Sequence, residues 1–181
     1  ATETIPCVKE TRMGTTRYCI FGMDDTPGHC WCKLCTAPIK AIDGTMLTPK
    51  KHKNLFWSAR YYEYLNKLDD EIQKVCPGYI TSTFAYFYTN GRPPIKLNKH
   101  IVPMFCCYGR SDGSNPVFSP SNRVWIDFYR GWMEHTKELN MYDYYGFLAG
   151  RPYAEVMQEE LRAMREIGFL RQSTEGFMKN D

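Results

Sequence analysis

Apolar positions along this chain follow two alternating periods. From Leu55 onward, Trp57, Tyr61, Tyr64, Leu65, Leu68, Ile72 and Val75 recur at helical spacing and stop just before Pro77-Gly78, which predicts an amphipathic helix. Residues 79–89 are rich in Thr, Tyr, Phe and Ile and end at Asn90-Gly91, a strand composition followed by a turn signal. Residues 101–108 read as a buried strand. Residues 121–139 carry Val124, Trp125, Phe128 and Trp132 on one helical face, with Asn140 as the cap. Residues 141–147 predict another strand. Pro152 suits a helix first turn, and Tyr153, Val156, Met157, Leu161 and Met164 continue that helix to a stop at Gly168, after which residues 169–171 open a last strand. With residues 17–23 as the first strand, five strands alternate with helices, the pattern of a parallel sheet with crossover connections. The polar stretch 49–54 is a break, and the absence of repeats or linkers predicts a single domain over 1–181.

Composition changes this picture little. The 181 residues are 43% hydrophobic, 15% aromatic and 24% charged, enough to bury one sizeable core. The net charge of +3 is small and its one basic run, Lys50-Lys51-His52-Lys53, reads as a solvated loop, so no nucleic-acid partner is expected. No segment reaches the about 18 apolar residues of a membrane span, and the first ten residues lack the basic-then-apolar order of a secretory signal. The chain starts without Met, which fits a processed or excised piece.

Eight cysteines are too sparse for a disulfide scaffold and are unevenly placed. Cys30, Cys32 and Cys35 cluster in the segment FGMDDTPGHCWCKLC. Three thiols at these spacings can reach one zinc tetrahedrally, with His29 or a distant cysteine as fourth ligand. A structural zinc leads, while a disulfide within the loop, favoured by export, and buried free thiols remain open.

In parallel α/β sheets ligands sit at the carboxyl ends of the strands. Those ends carry Asp24 and Asp25, then Tyr86 and Tyr88, then Cys106, Cys107 and Arg110, then Asp143, Tyr144 and Tyr145, and finally Glu175. Carboxylates with aromatics suit carbohydrate chemistry, because rings stack on apolar sugar faces while carboxylates bind hydroxyls or act as acid, base or nucleophile. Half-buried wall tyrosines and helix-capping acids would give the same composition.

Several of these residues carry a resemblance. Asp25 followed by Cys30-Trp31-Cys32-Lys33-Leu34-Cys35, Ala85-Tyr86 with Pro93-Pro94, Phe105-Cys106, Asp143-Tyr144 and Glu175-Gly176 resemble an uncharacterised bacterial (β/α)-barrel family. That family is related to glycoside hydrolases and occurs with α-glucuronidase-like or hexosaminidase-like proteins. The resemblance spans roughly 18–176, and the cysteine loop is its specific element. It implies only the later part of a barrel, about strands 4 to 8, whose partner would be the missing N-terminal part, and a periplasmic or extracellular location. Where the family usually shows Asn-Asp this chain has Asp24-Asp25, similar to the acidic pair of hexosaminidase-like barrels. In such a pair one carboxylate orients the substrate and its neighbour protonates the leaving oxygen.

The expectation is therefore a glycoside-hydrolase-like enzyme cleaving a glycosidic bond, with no cofactor needed for catalysis. Asp25 is the expected general acid, Asp24 the orienting or second carboxylate, and Glu175 and Asp143 serve binding or the complementary base, with Tyr86, Tyr88, Arg110 and Tyr144 binding the sugar. Two rivals stand beside it: a non-catalytic carbohydrate-binding barrel, and a zinc-dependent hydrolase, for which four widely spaced histidines are a poor ligand supply.

Overall fold

The computed structural model describes residues 18–22, 28–108, 116–143, 153–167 and 169–174. Strand β1 (Tyr18–Phe21) leads to a short hairpin, β2 (Ile39–Lys40) and β3 (Met46–Leu47), and then to helix α1 (Pro49–Val75). Strand β4 (Ile80–Ala85) is followed by a 3-10 turn at Phe87–Thr89 and by β5 (Ile101–Cys106). A second 3-10 turn, Pro120–Asn122, runs into α2 (Arg123–Met133); β6 (Leu139–Asp143), α3 (Tyr153–Ile167) and β7 (Phe169–Thr174) complete the order. Strands β1, β4, β5, β6 and β7 form one sheet in that order. All four pairings are parallel, as the alternation of periods predicts.

The departures from the sequence-based expectation are local and have local causes. Helix α1 begins at Pro49, inside the stretch read as a polar break, because Pro suits a first turn. The break survives as a kink at Lys53, whose φ of 38° and ψ of −118° are non-helical. Its buried face runs Phe56, Ala59, Tyr62, Leu65 and Asp69, while Tyr64 and Val75, placed on the core stripe by spacing, are exposed. Strict alternation also fails once: β4 connects to β5 without an α-helix, since Asn90-Gly91 and Pro93-Pro94 favour turn and extended backbone. Asn140 is no helix cap. Helix α2 stops at Met133, and Asn140 is buried within β6. The hairpin, turning at Gly44 with φ of 87°, has no counterpart in the periodicity.

One face of the sheet and the helices share a single core. Ala85, Ile101, Phe105, Leu139 and Met141 from the strands meet Phe56, Tyr62, Leu65, Trp125, Trp132 and Met164 from the helices. The opposite face is buried as well, at Ser82, Val102, Cys106 and Asn140. Across it the rings of Phe84 on β4 and Tyr142 on β6 meet edge to face at 5.3 Å. Since β5 lies between them, the two side chains meet over its surface.

The amino end of the sheet is closed by a buried carboxylate. Asp69 of α1, 1% exposed, accepts hydrogen bonds from the Thr81 hydroxyl at 2.7 Å and from the side-chain amides of Asn98 and Gln73, each at 3.1 Å. Asn98 also donates to Asp70 at 2.8 Å and to the Asn66 carbonyl at 3.1 Å, so one knot joins α1, β4 and the approach to β5. Asp69→Ala strands those donors. Hydrogen bonds to a charged group contribute about 1.5–3 kcal/mol each and are not additive, so urea unfolding should show a loss of about 2–4 kcal/mol. A loss under about 0.5 kcal/mol would mean that the knot does not hold the helix to the sheet.

At the same end His135 bonds the Ile101 carbonyl at 3.2 Å, and burial holds its pKa below the usual 6.5. The unfolded chain therefore takes up this proton first as pH falls. Stability should be flat above pH 6.5 on this account and should decline below it until the folded-state pKa is passed. His29, lowered by burial too, acts in the same sense. Urea midpoints measured from about pH 7.5 to about pH 5.5 should fall in the wild type and fall less in His135→Gln; equal slopes in the two proteins would refute the assignment.

Candidate functional site

Parallel pairing brings the carboxyl ends of all five strands to one edge of the sheet. Asp24, Asp25, Arg110, Tyr144 and Glu175 lie outside the described residues. Each follows the end of a described strand within a few positions of sequence. Tyr86, Tyr88 and Asp143 are described.

Tyr86 directly follows β4 and enters the 3-10 turn. There Phe87 takes φ of 49°, left-handed backbone that is strained for an aromatic residue. Thr89 holds the turn: its hydroxyl accepts from the Tyr86 N–H at 3.0 Å and donates to the Tyr86 carbonyl at 2.7 Å. The Trp132 indole then fixes the exit by donating to the Asn90 carbonyl at 2.7 Å. The result is a cluster of three rings over the ends of β4 and β5. Phe87 lies 3.9 Å from Tyr86, and Tyr108 meets Tyr86 at 5.6 Å and Phe87 at 6.2 Å, both edge to face. Phe87 is 44% and Tyr108 50% exposed. Sequence reasoning named Tyr86 alone of these, although the run Phe84-Ala85-Tyr86-Phe87-Tyr88 and the pair Cys107-Tyr108 carried the signal.

Tyr88 points elsewhere. It is half-buried against the core, and burial raises its phenol pKa. Its ring meets His29 edge to face at 5.1 Å, and His29 stacks on Trp57 at 4.1 Å with 9° between the planes. Trp31 abuts the same Trp57 at 5.5 Å. A relay of rings thus links the strand-end turn to the cysteine loop.

Asp143 closes β6 as a carboxylate 1% exposed, beside Cys106. Burial first, and the charge of Asp143 second, push the Cys106 thiol far up, and the thiol donates to the Met104 carbonyl at 3.4 Å. Cys106 is therefore a neutral packing group and no nucleophile.

The sulfurs of Cys30, Cys32 and Cys35 lie within 4.8 Å of one another. The Thr36 amide and hydroxyl both donate to the Cys32 carbonyl, at 3.0 and 2.9 Å, and the Cys35 N–H donates to the Cys32 sulfur at 3.5 Å. That N–H, followed by the neighbouring thiols, lowers the Cys32 pKa to about 7. Cys35, which shares hydrogens with Cys32 and Cys30, is raised to about 11. The Arg60 guanidinium bonds the Ala37 carbonyl and docks the loop on α1. His29, expected as a fourth ligand, is engaged with Trp57 instead, and among the described residues no fourth His, Cys, Asp or Glu joins the three sulfurs.

A family model described as Domain of unknown function (DUF4838) matches residues 10–181. The chain belongs to this family. No curated protein and no solved structure matches it. The DUF4838 match runs through the cysteine loop and every described strand, so the strand-end turn and the thiol cluster both lie within the family's domain.

The thiol environments separate in reactivity. In the metal-free, reduced protein Cys32 should alkylate first, with a rate that rises through about pH 7, while Cys106 should stay unmodified until the protein unfolds. Peptide mapping after brief iodoacetamide treatment reads both; early labelling of Cys106 would contradict its burial.

Proposed function

We propose that the chain is a segment of a (β/α) barrel, matching its later strands, and that it cleaves a glycosidic bond at the carboxyl ends of those strands. Strand order supports the barrel. An open doubly wound sheet reverses its order at a switch point, whereas here neighbours follow one another in the chain without reversal, and the contact of Phe84 with Tyr142 across β5 fits a curved sheet. The observation that carries the carbohydrate reading is the ring cluster of Tyr86, Phe87 and Tyr108, with Phe87 and Tyr108 exposed, at the same edge of the sheet where β6 ends in Asp143. Exposed aromatic surface offers apolar sugar faces a platform, and a few fixed polar groups orient the hydroxyls.

In this reading Asp25 protonates the leaving oxygen, and Asp24 orients the substrate and keeps the Asp25 pKa high, since adjacent carboxylates resist ionising together. Glu175 serves as the complementary base, and Arg110 and Tyr144 join Tyr86 in the binding surface, while buried Asp143 and half-buried Tyr88 support it from beneath. An exported location belongs to the same reading and is supported by the disulfide at Cys76, since such bonds persist in oxidising compartments.

The test is release of phenolate from a panel of aryl glycosides. The protein should turn over at least one, and Asp25→Asn should slow it by about 10²- to 10⁴-fold, the usual contribution of a general acid, with sugar affinity unchanged within a few-fold. Asp24→Asn should also shift the alkaline limb of the pH profile to lower pH, because Asp25 acts only while protonated. Unchanged turnover in Asp25→Asn would move the acid to another carboxylate. Sugar binding without turnover on any glycoside would turn the reading into a binding module.

A further inference from the structure

We propose that Cys30, Cys32 and Cys35 form a three-thiolate site for a thiophilic divalent cation, zinc, whose fourth position faces solvent. The geometry comes first. A tetrahedral zinc with Zn–S bonds of about 2.3 Å holds its sulfurs about 3.8 Å apart, and these three already lie within 4.8 Å of one another. Rotations about the Cα–Cβ bonds can supply the remainder without moving backbone.

The loop is organised before any cation arrives. Thr36 pins the Cys32 carbonyl twice. The Cys35 N–H points at the Cys32 sulfur, and an N–H aimed at a thiolate offsets the charge that three such ligands bring together. His29 and Trp31 clamp one end of the loop on Trp57, and Arg60 holds the other end at Ala37.

The ligand set decides the class of ion. Three sulfurs with no carboxylate or carbonyl among them select against magnesium and calcium and for a soft or borderline cation. The odd number matters too. A disulfide within the cluster would consume two thiols and leave the third exposed, whereas one cation satisfies all three. Among the described residues no fourth His, Cys, Asp or Glu joins the sulfurs, and the exposure of Cys30 and Cys32 leaves the last position to water or another small donor. The site is thereby a clamp on the loop that carries His29 and Trp31, and it stands whether or not the protein cleaves glycosides.

Two measurements on the whole chain test it. Reduced, metal-free protein titrated with cobalt(II) should develop thiolate-to-metal charge transfer and the intense visible bands of a tetrahedral ion, saturating at one cobalt per chain, and zinc should bleach them stoichiometrically. Competition with a chromophoric chelator should then show zinc affinity falling by at least about 100-fold in each of Cys30→Ser, Cys32→Ser and Cys35→Ser, beyond the 10- to 100-fold typical of supporting residues. His29→Ala should keep the cobalt spectrum. Weak octahedral-type bands in the reduced wild type, undiminished affinity in any of the three serine variants, or a disulfide joining two of these cysteines in protein isolated without reductant would each overturn the assignment.

Discussion

Parallel strands that follow one another in chain order constrain everything else in this molecule. Each connection must return from the carboxyl edge to the amino edge, and where helices make the return they pack on the same face. That face gains one continuous core of Phe56, Tyr62, Phe105, Trp125, Trp132 and Met141. Among the described residues no helix packs on the other face, yet Ser82, Val102, Cys106 and Asn140 on it are buried. On that face Phe84 and Tyr142 meet across β5.

The same constraint divides the polar groups between the two edges. At the amino edge Asp69 is surrounded by donors from three segments, an arrangement whose every member is consumed in holding α1 to the sheet. At the carboxyl edge the groups are held differently. The 3-10 turn after β4 keeps Phe87 in left-handed backbone, and Thr89 and Trp132 supply the bonds that keep it there. Strain of about 1–3 kcal/mol at a bulky residue persists only where surrounding contacts over-determine it. Here it presents an aromatic ring to solvent at the edge where ligands of such sheets bind.

Much of the sheet was legible in the sequence because its signals are periodic. Four of the five sheet strands follow a turn or a helix stop, and each was located to within a few residues. What failed was decided by neighbours distant in sequence. Asn140 reads as a cap because polar residues seldom sit in buried strands, and only pairing with β5 and β7 puts it there. The buried stripe of α1 was assigned only in part, with Trp57, Tyr61, Leu65 and Leu68 on the core and Tyr64 and Val75 off it, because aromatics at Trp57, Tyr61, Tyr62 and Tyr64 allow more than one helical face. The ring cluster shows the same limit in the site. Tyr86 was visible as a strand-end residue, but its contact with Tyr108 depends on β4 and β5 being adjacent. The thiol cluster was legible because its geometry is local.

The two features meet through aromatic packing. Trp57 lies on α1, so the helix that buries Phe56 and Tyr62 in the core also seats His29 and, through it, Tyr88. Tyr88 is one residue from strained Phe87. Loosening the cysteine loop would release His29 from Trp57 and remove the edge contact on Tyr88, one of the contacts that brace the turn beside those of Thr89, Tyr62 and Trp132. The loop thus reaches the strand-end turn through the rings of Trp57, His29 and Tyr88, and the ring cluster begins at the adjacent residue of the chain. A clamp at Cys30, Cys32 and Cys35 would act on the carboxyl edge of the sheet without touching what binds there.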